Sequence, residues 1–122
     1  MRRAARRAGA LLLAALLPLG GCADLGWRKP QPDPVATAGA GFVARACAGC
    51  HAVGTSGAPR DPAAPNFRSL VARRSDSELQ LAVSRVAQHG HVQMPPIYMT
   101  DDEQAAVLAY FRSLRRQTLP HA

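Results

Sequence analysis

Cys47, Cys50 and His51 form the run C-A-G-C-H, which brings two thiols and an imidazole within five positions. Two thiols separated by two residues can each form a thioether with one vinyl group of a haem, and the next residue is then held beneath the iron. His51 would be the proximal iron ligand. The same pair of thiols could instead form half of a zinc site or a thioredoxin-like redox pair.

The rest of the chain gives these two alternatives little support. A zinc site needs a second pair of ligands, but the remaining cysteine, Cys22, lies in the leader, and His89 and His91 are poorly spaced substitutes. A thioredoxin-like pair needs strands that alternate with helices, and no such pattern is visible. The sequence therefore favours covalent haem.

Met94 is the predicted distal ligand. It lies 43 residues after His51 and directly before Pro95 and Pro96. The two prolines restrict the backbone and remove amide donors, so they can hold a weakly binding thioether on iron. A Met ligand favours ferrous iron more than a second His does and raises the reduction potential.

Three other potential ligands lie near Met94. Met99 is expected to pack in the core, whereas His89 and His91 are expected to be exposed to solvent, with a role for either on iron or on a haem propionate left open.

The first 21 residues have the features of an export signal. Arg2, Arg3, Arg6 and Arg7 precede an apolar run from Ala8 to Leu19. That run is shorter than the about 20 residues that span a bilayer. We therefore expect residues 1–21 to be a signal peptide, which places the mature protein outside the cytoplasm.

The junction Leu19-Gly20-Gly21-Cys22 resembles the bacterial lipobox, so Cys22 is a predicted site of lipidation and membrane anchoring. The alternative is cleavage after Ala23, which would release a soluble protein. Ala23, rather than Asp, follows the cysteine, and the choice between inner and outer membrane stays open.

Much of the net charge of +7 lies in the predicted signal peptide. Loss of the four leader arginines from 15 basic residues leaves 11 against 8 acidic residues, a net charge of +3. Nucleic-acid binding then loses most of its support. In the oxidising compartment outside the cytoplasm, Cys47 and Cys50 must be kept reduced until haem is attached.

Residues 22–38 contain prolines at alternate positions and show no apolar periodicity, which predicts a semi-extended tether. Trp27, within it, is expected to be exposed near the membrane surface. Residues 39–118 are the predicted domain, and residues 119–122 the tail.

Apolar periodicity and capping signals predict three helices in an all-α domain. The first runs from Ala36 to Cys47, and the second begins at Ser75, which forms a capping box with Glu78, and ends before Gly90. The third begins at the capping box Thr100-Asp101-Asp102-Glu103. Gly and Pro make residues 52–66 a predicted loop.

Over residues 39–114 the chain resembles the small class I c-type cytochromes of bacteria. The resemblance rests on Gly39 and Phe42, the haem motif, the segment Ala64-Pro65-Asn66-Phe67-Arg68, Met94-Pro95, and a last helix that ends Ala109-Tyr110-Phe111-Arg112-Ser113-Leu114.

The resemblance implies an all-α cytochrome c fold in which the first and last helices cross around one covalently bound haem c and its iron. Gly39 would allow their close approach, with Phe42 or Val43 packed against Val107 and Tyr110. Pro65 matches the proline whose carbonyl accepts a hydrogen bond from the proximal histidine. Arg68, Arg85 and Tyr98 are candidates for contacts with the propionates.

The implied function is single-haem electron transfer on the periplasmic side, with a membrane tether through Cys22 and without enzyme activity of its own. Partners would be a dehydrogenase, an oxidase or a reductase, and the protein could be a subunit of such an enzyme. Arg60, Arg73, Arg74 and Arg85 could form a positively charged docking rim. The alternatives are a gas sensor or small peroxidase with a displaceable distal ligand, and a haem-free structural lipoprotein.

Overall fold

The computed structural model describes residues 31–91 and 94–119, and every regular element within them is a helix. The helices are α1 (Pro34–Ala46), α2 (Phe67–Arg73), α3 (Asp76–His89) and α4 (Asp101–Thr118). No strand occurs in this part of the chain, where His91 and Met94 form an isolated antiparallel bridge. The all-α prediction is confirmed. None of the helices in these ranges is both long and apolar enough to cross a membrane.

Helix α1 begins earlier than the sequence pattern predicts. Asp33 caps it by accepting a hydrogen bond from the backbone N–H of Val35 at 2.9 Å, and Pro34 occupies the first turn. Proline suits that position because its fixed φ is helical and its missing N–H would have no partner there. The predicted tether 22–38 is therefore wrong for residues 34–38, and Ala36 is buried in the core.

The remaining predictions for the amino-terminal region lie outside the described residues. They are the signal peptide 1–21, lipidation of Cys22, the position of Trp27 and the first part of the tether. The same holds for the tail beyond Leu119.

Helix α2 is a fourth helix, where the apolar pattern predicts only three. It has seven residues, and the side chain of Asn66 caps it by accepting from the backbone N–H of Ser69 at 2.9 Å. A helix this short has little periodicity to detect. Phe67 and Val71 are its buried residues, and α2 thus contributes directly to the core.

The starts of α3 and α4 are those that the sequence predicts. Glu78 accepts a hydrogen bond from the backbone N–H of Ser75 at 2.7 Å, and Glu103 accepts one from the N–H of Thr100 at 2.8 Å. Each capping hydroxyl accepts in return from the backbone of its glutamate, which completes both capping boxes. Gly90 ends α3 with a φ of +66°, as the sequence predicts.

Helix α4 packs against each of the other three helices. A Cβ atom on Gly39 of α1 would overlap the carbonyl oxygen of Ala106, which shows how closely α1 and α4 approach. Val43, fully buried, belongs to the same core cluster as Val107 of α4. The close contact predicted for the first and last helices is confirmed.

Arg115 of α4 contacts the end of α2 and the start of α3. Its Nε donates to the carbonyl oxygen of Val71 and its Nη2 to that of Arg74, both at 2.7 Å, while its Nη1 pairs with Asp76. Arg112 also pairs with Asp76, at 2.7 Å. Hydrogen bonds from Arg112 and Arg115 hold the pKa of Asp76 below its ordinary value. Helices α2, α3 and α4 are thus joined at one polar cluster.

Candidate haem site

Helix α1 delivers the C-A-G-C-H run into a tight turn. The helix ends at Ala46, Cys47 is its C-cap, and the backbone N–H groups of Cys50 and His51 both donate to the carbonyl oxygen of Cys47, at 3.2 and 2.9 Å. Cys47 is half-buried and packs against the core, whereas Cys50 is exposed. The turn places both thiols and the imidazole at one end of α1.

His51 is buried, with 7% of its surface exposed. Its Nδ1 donates to the carbonyl oxygen of Pro65 at 2.8 Å, and its ring packs on Phe67 with the ring centres 4.9 Å apart. A proton on Nδ1 leaves the lone pair of Nε2 free for a metal. The hydrogen bond that the resemblance implies for Pro65 is present, while binding of His51 to iron stays a prediction.

A largely apolar cavity of about 350 Å³ lies beside His51. Apolar side chains from all four helices line it: Phe42, Val43, Phe67, Leu70, Leu79, Ala82, Val83, Val86, Val107 and Phe111. A second space of about 530 Å³ reaches Cys50 and Pro95. The residues that line both spaces are Cys47, His51, Pro65, His91, Met94 and Ile97. We call the two spaces together the haem groove.

Met94 is half-buried and lines both parts of the haem groove, far from the motif in the chain but together with His51 in space. Its position is set by Gly90, where a Cβ atom would overlap the Met94 carbonyl oxygen, and by Ile97, whose N–H donates to the Val86 carbonyl at 3.3 Å. The structure brings the predicted distal ligand to the same cavity as the predicted proximal one.

The other three potential ligands differ in position. Met99 packs against the core, as the sequence predicts, and also lines the cavity. His89 is exposed at the end of α3 and is not among the lining residues of the groove. His91 is exposed as well, yet it lines both parts of the groove. The pattern of polar and apolar residues in the sequence does not predict that His91 lines the groove.

The environment of the thiols disfavours the two alternative interpretations of the motif. Burial raises the pKa of Cys47 to about 11, whereas reactive redox thiols have a lowered pKa. Among residues 31–91 and 94–119, no group of three or more His, Cys, Asp or Glu side chains is placed to hold a metal ion. Both thiols line the groove, as thioether bonds to a cofactor bound there would require.

Arginines provide partners for an acidic group near the groove. Nη1 of Arg68 is buried and has no hydrogen-bond partner in the described part of the chain, which is unfavourable for a guanidinium nitrogen and fits a missing carboxylate. Arg74 lines the cavity, a placement that the sequence does not reveal. None of the three propionate candidates, Arg68, Arg85 and Tyr98, is among the residues that line the groove, and Arg85 and Tyr98 are exposed.

A haem matches this set of features because it is apolar over its faces, carries two carboxylates, and offers an iron to His51 and vinyl groups to Cys47 and Cys50. No curated protein and no solved structure matches the chain. Residues 36–115 match the family model described as cytochrome c. That range contains α1 from Ala36, α2, α3, α4 up to Arg115, the thiols of Cys47 and Cys50, His51 and Met94, and the chain belongs to the cytochrome c family.

Proposed function

We propose that the protein is a single-haem electron carrier of the bacterial class I type, with His51 and Met94 as the two axial ligands of the iron. Cytochromes of this family bind haem c covalently, so the chain is a haem-based electron-transfer protein. The observation that supports His/Met ligation is the joint position of His51 and Met94 in the lining of one cavity.

The side chains of the groove favour electron transfer over substrate chemistry. The haem supplies an iron that alternates between Fe(III) and Fe(II). Pro65 fixes the orientation of the His51 ring, and the apolar side chains around the cavity keep water away. With Met94 as the second ligand, a bound haem would need little rearrangement to take up or release an electron, and no site on the iron would remain for a substrate.

Absorption spectra of the holoprotein test this proposal. The protein would be expressed with export and haem-attachment machinery and measured in both oxidation states, with and without carbon monoxide. We expect a covalent c-type spectrum, a Met-to-iron charge-transfer band in the ferric form and no response of the ferrous form to carbon monoxide. Rapid binding of carbon monoxide would instead support a gas sensor or a small peroxidase.

We further propose that the mature protein is exported and held on the periplasmic side of a membrane by lipid on Cys22. The support is the leader itself, with its basic start, apolar run and lipobox-like end. Cys22→Ala should abolish labelling of the protein by radioactive palmitate. A Cys22→Ala protein that is still labelled, or a wild-type protein that is not, would contradict the lipid anchor.

The proposed partners are redox enzymes that dock on a positively charged rim. Arg60, Arg73, Arg74 and Arg85 are all exposed, and Arg74 also lines the haem groove. Charge on such a rim mainly accelerates encounter with an acidic partner, so its effect weakens as salt rises. Arg73→Gln/Arg85→Gln should slow electron transfer to the partner at low salt and not at high salt, whereas Arg116→Gln at the end of α4 serves as control. Equal rates for wild type and Arg73→Gln/Arg85→Gln at low salt would contradict the proposed docking rim.

A further inference from the structure

His91 and Met94 are paired through their backbones, and both line the haem groove. The N–H of His91 donates to the carbonyl oxygen of Met94 at 3.0 Å, and the N–H of Met94 donates to that of His91 at 2.6 Å. Directly opposed residues of an antiparallel pair carry their side chains on the same face. Accordingly, both residues line both parts of the groove.

The His91 ring lies opposite the ring of His51. Their centres are 6.0 Å apart, and the ring planes are inclined at 76°. Metal–imidazole bonds measure about 2 Å. The distance between the ring centres is therefore compatible with one metal ion held between the two imidazoles. His91 is also exposed, so core packing does not restrain its side chain.

The backbone around the pair is fixed against α3. A Cβ atom on Gly90 would overlap the carbonyl oxygen of Met94 and would come within 2.8 Å of the nitrogen of Pro96. His91 and Met94 already line the same space. Replacement of one side chain by the other in that space therefore needs mainly rotation of the two side chains.

We propose that His91 is a reserve axial ligand, which binds the haem iron through a ring nitrogen when the sulfur of Met94 is not bound. The inference rests on the proposed role of Met94 as the resident ligand. In the exchange an iron–sulfur coordinate bond breaks and an iron–nitrogen bond to neutral imidazole forms, with no net transfer of electrons. Since imidazole favours ferric iron more than a thioether does, the His91-bound state has the lower reduction potential.

The test compares three variants of the holoprotein. Met94→Ala should lose the Met-to-iron charge-transfer band, keep a low-spin ferric iron, show a lowered reduction potential and fail to bind carbon monoxide when reduced. Met94→Ala/His91→Ala should be high-spin and bind carbon monoxide. The matched control Met94→Ala/His89→Ala should behave like Met94→Ala, because His89 lies outside the groove lining.

A high-spin Met94→Ala protein that binds carbon monoxide would overturn the proposal, and so would a Met94→Ala/His91→Ala protein that does not bind it. If the alanine variants do not assemble, Met94→Leu preserves the side-chain volume and replaces Met94→Ala in each comparison. The wild-type spectrum separates the two proposals, since carbon monoxide binding by wild type contradicts the carrier, whereas an open iron only in Met94→Ala contradicts the reserve ligand alone.

Discussion

Tyr110 is the side chain that joins α4 to the loop after the haem motif. Its hydroxyl donates to the carbonyl oxygen of Val53 at 2.5 Å, and burial raises the pKa of its phenol. Val53 lies two residues after His51 in the chain. The contact therefore restrains the segment that follows His51.

Tyr110→Phe removes the hydroxyl group that donates to the Val53 carbonyl oxygen, so this hydrogen bond is lost. We expect the free energy of unfolding of the holoprotein to fall by about 1 kcal/mol, the usual size for one such hydrogen bond. Denaturant titration followed by far-UV circular dichroism measures it. Tyr98→Phe is the matched control, since Tyr98 is 95% exposed and should leave stability unchanged. Equal losses in both variants would contradict the assigned role of Tyr110.

The single residues that sequence reasoning could identify are those whose chemistry needs a fixed local spacing. Cys47, Cys50 and His51 are within five positions, and Met94 is marked by its prolines. The placement of Arg74 and His91 at the groove depends on how distant helices pack, and no local pattern encodes it. The Tyr110 contact spans 57 positions and is missed for the same reason.

The closest approach of two elements occurs at Gly39, where α1 meets the backbone of α4. Gly39→Ala should cost about 1–3 kcal/mol of stability in the holoprotein, because the added methyl group must push the two helices apart. Gly41→Ala, on the same helix, should instead stabilise by up to about 1 kcal/mol, since its Cβ meets only the flexible end of Arg45 at 3.4 Å. Thermal and denaturant unfolding distinguish the signs, and destabilisation of similar size at both glycines would contradict the close contact.

The cluster around Asp76 joins α3 to α4 in a way that depends on pH. Because the folded-state pKa of Asp76 lies below the unfolded value, its contribution is fully present above the unfolded pKa, about 3.9, and disappears as pH falls through the folded value. Asp76→Asn should therefore lower stability at pH 7 by about 1 kcal/mol at most, since the carboxylate is 45% exposed.

Unfolding of wild type and Asp76→Asn at pH 7 and near pH 2 provides the measurement, and we expect the difference between them to shrink in acid. Asp102→Asn, at an exposed position in the first turn of α4, is the control. A difference that stays constant with pH would show that the Arg112 and Arg115 contacts contribute nothing through the charge of Asp76.

Helix ends were predictable where side chains cap the backbone in a recognisable spacing. Ser75 with Glu78 and Thr100 with Glu103 gave the starts of α3 and α4, and Gly90 gave the end of α3. The cap of α1 by Asp33 is not predicted, because the neighbouring prolines indicate a tether. Helix α2 depends on tertiary packing of Phe67 and Val71, which no short pattern reveals.

At the scale of the whole molecule, the haem groove occupies space that a larger protein would fill with side chains. A domain of this size has a small core of its own, and all four helices contribute apolar side chains to the groove.

We expect Cys47→Ala/Cys50→Ala, which cannot attach haem, to show little helix by circular dichroism and no cooperative thermal transition. Cys50→Ala alone keeps one thioether at an otherwise exposed position and should remain folded. A cooperative transition of unchanged midpoint in the double variant would contradict this dependence on haem.

The packing of α4 against each of the other helices also bears on the order in which parts of the chain can fold as it is made. Residues 101–118 follow α1, α2 and α3 in the chain, and most contacts between helices in the described residues involve them. A chain that emerges from its amino-terminal end therefore presents Cys47 and Cys50 on a segment whose packing partner has not yet arrived. We expect the thiols to be accessible for haem attachment during that interval, before the last helix packs against the domain.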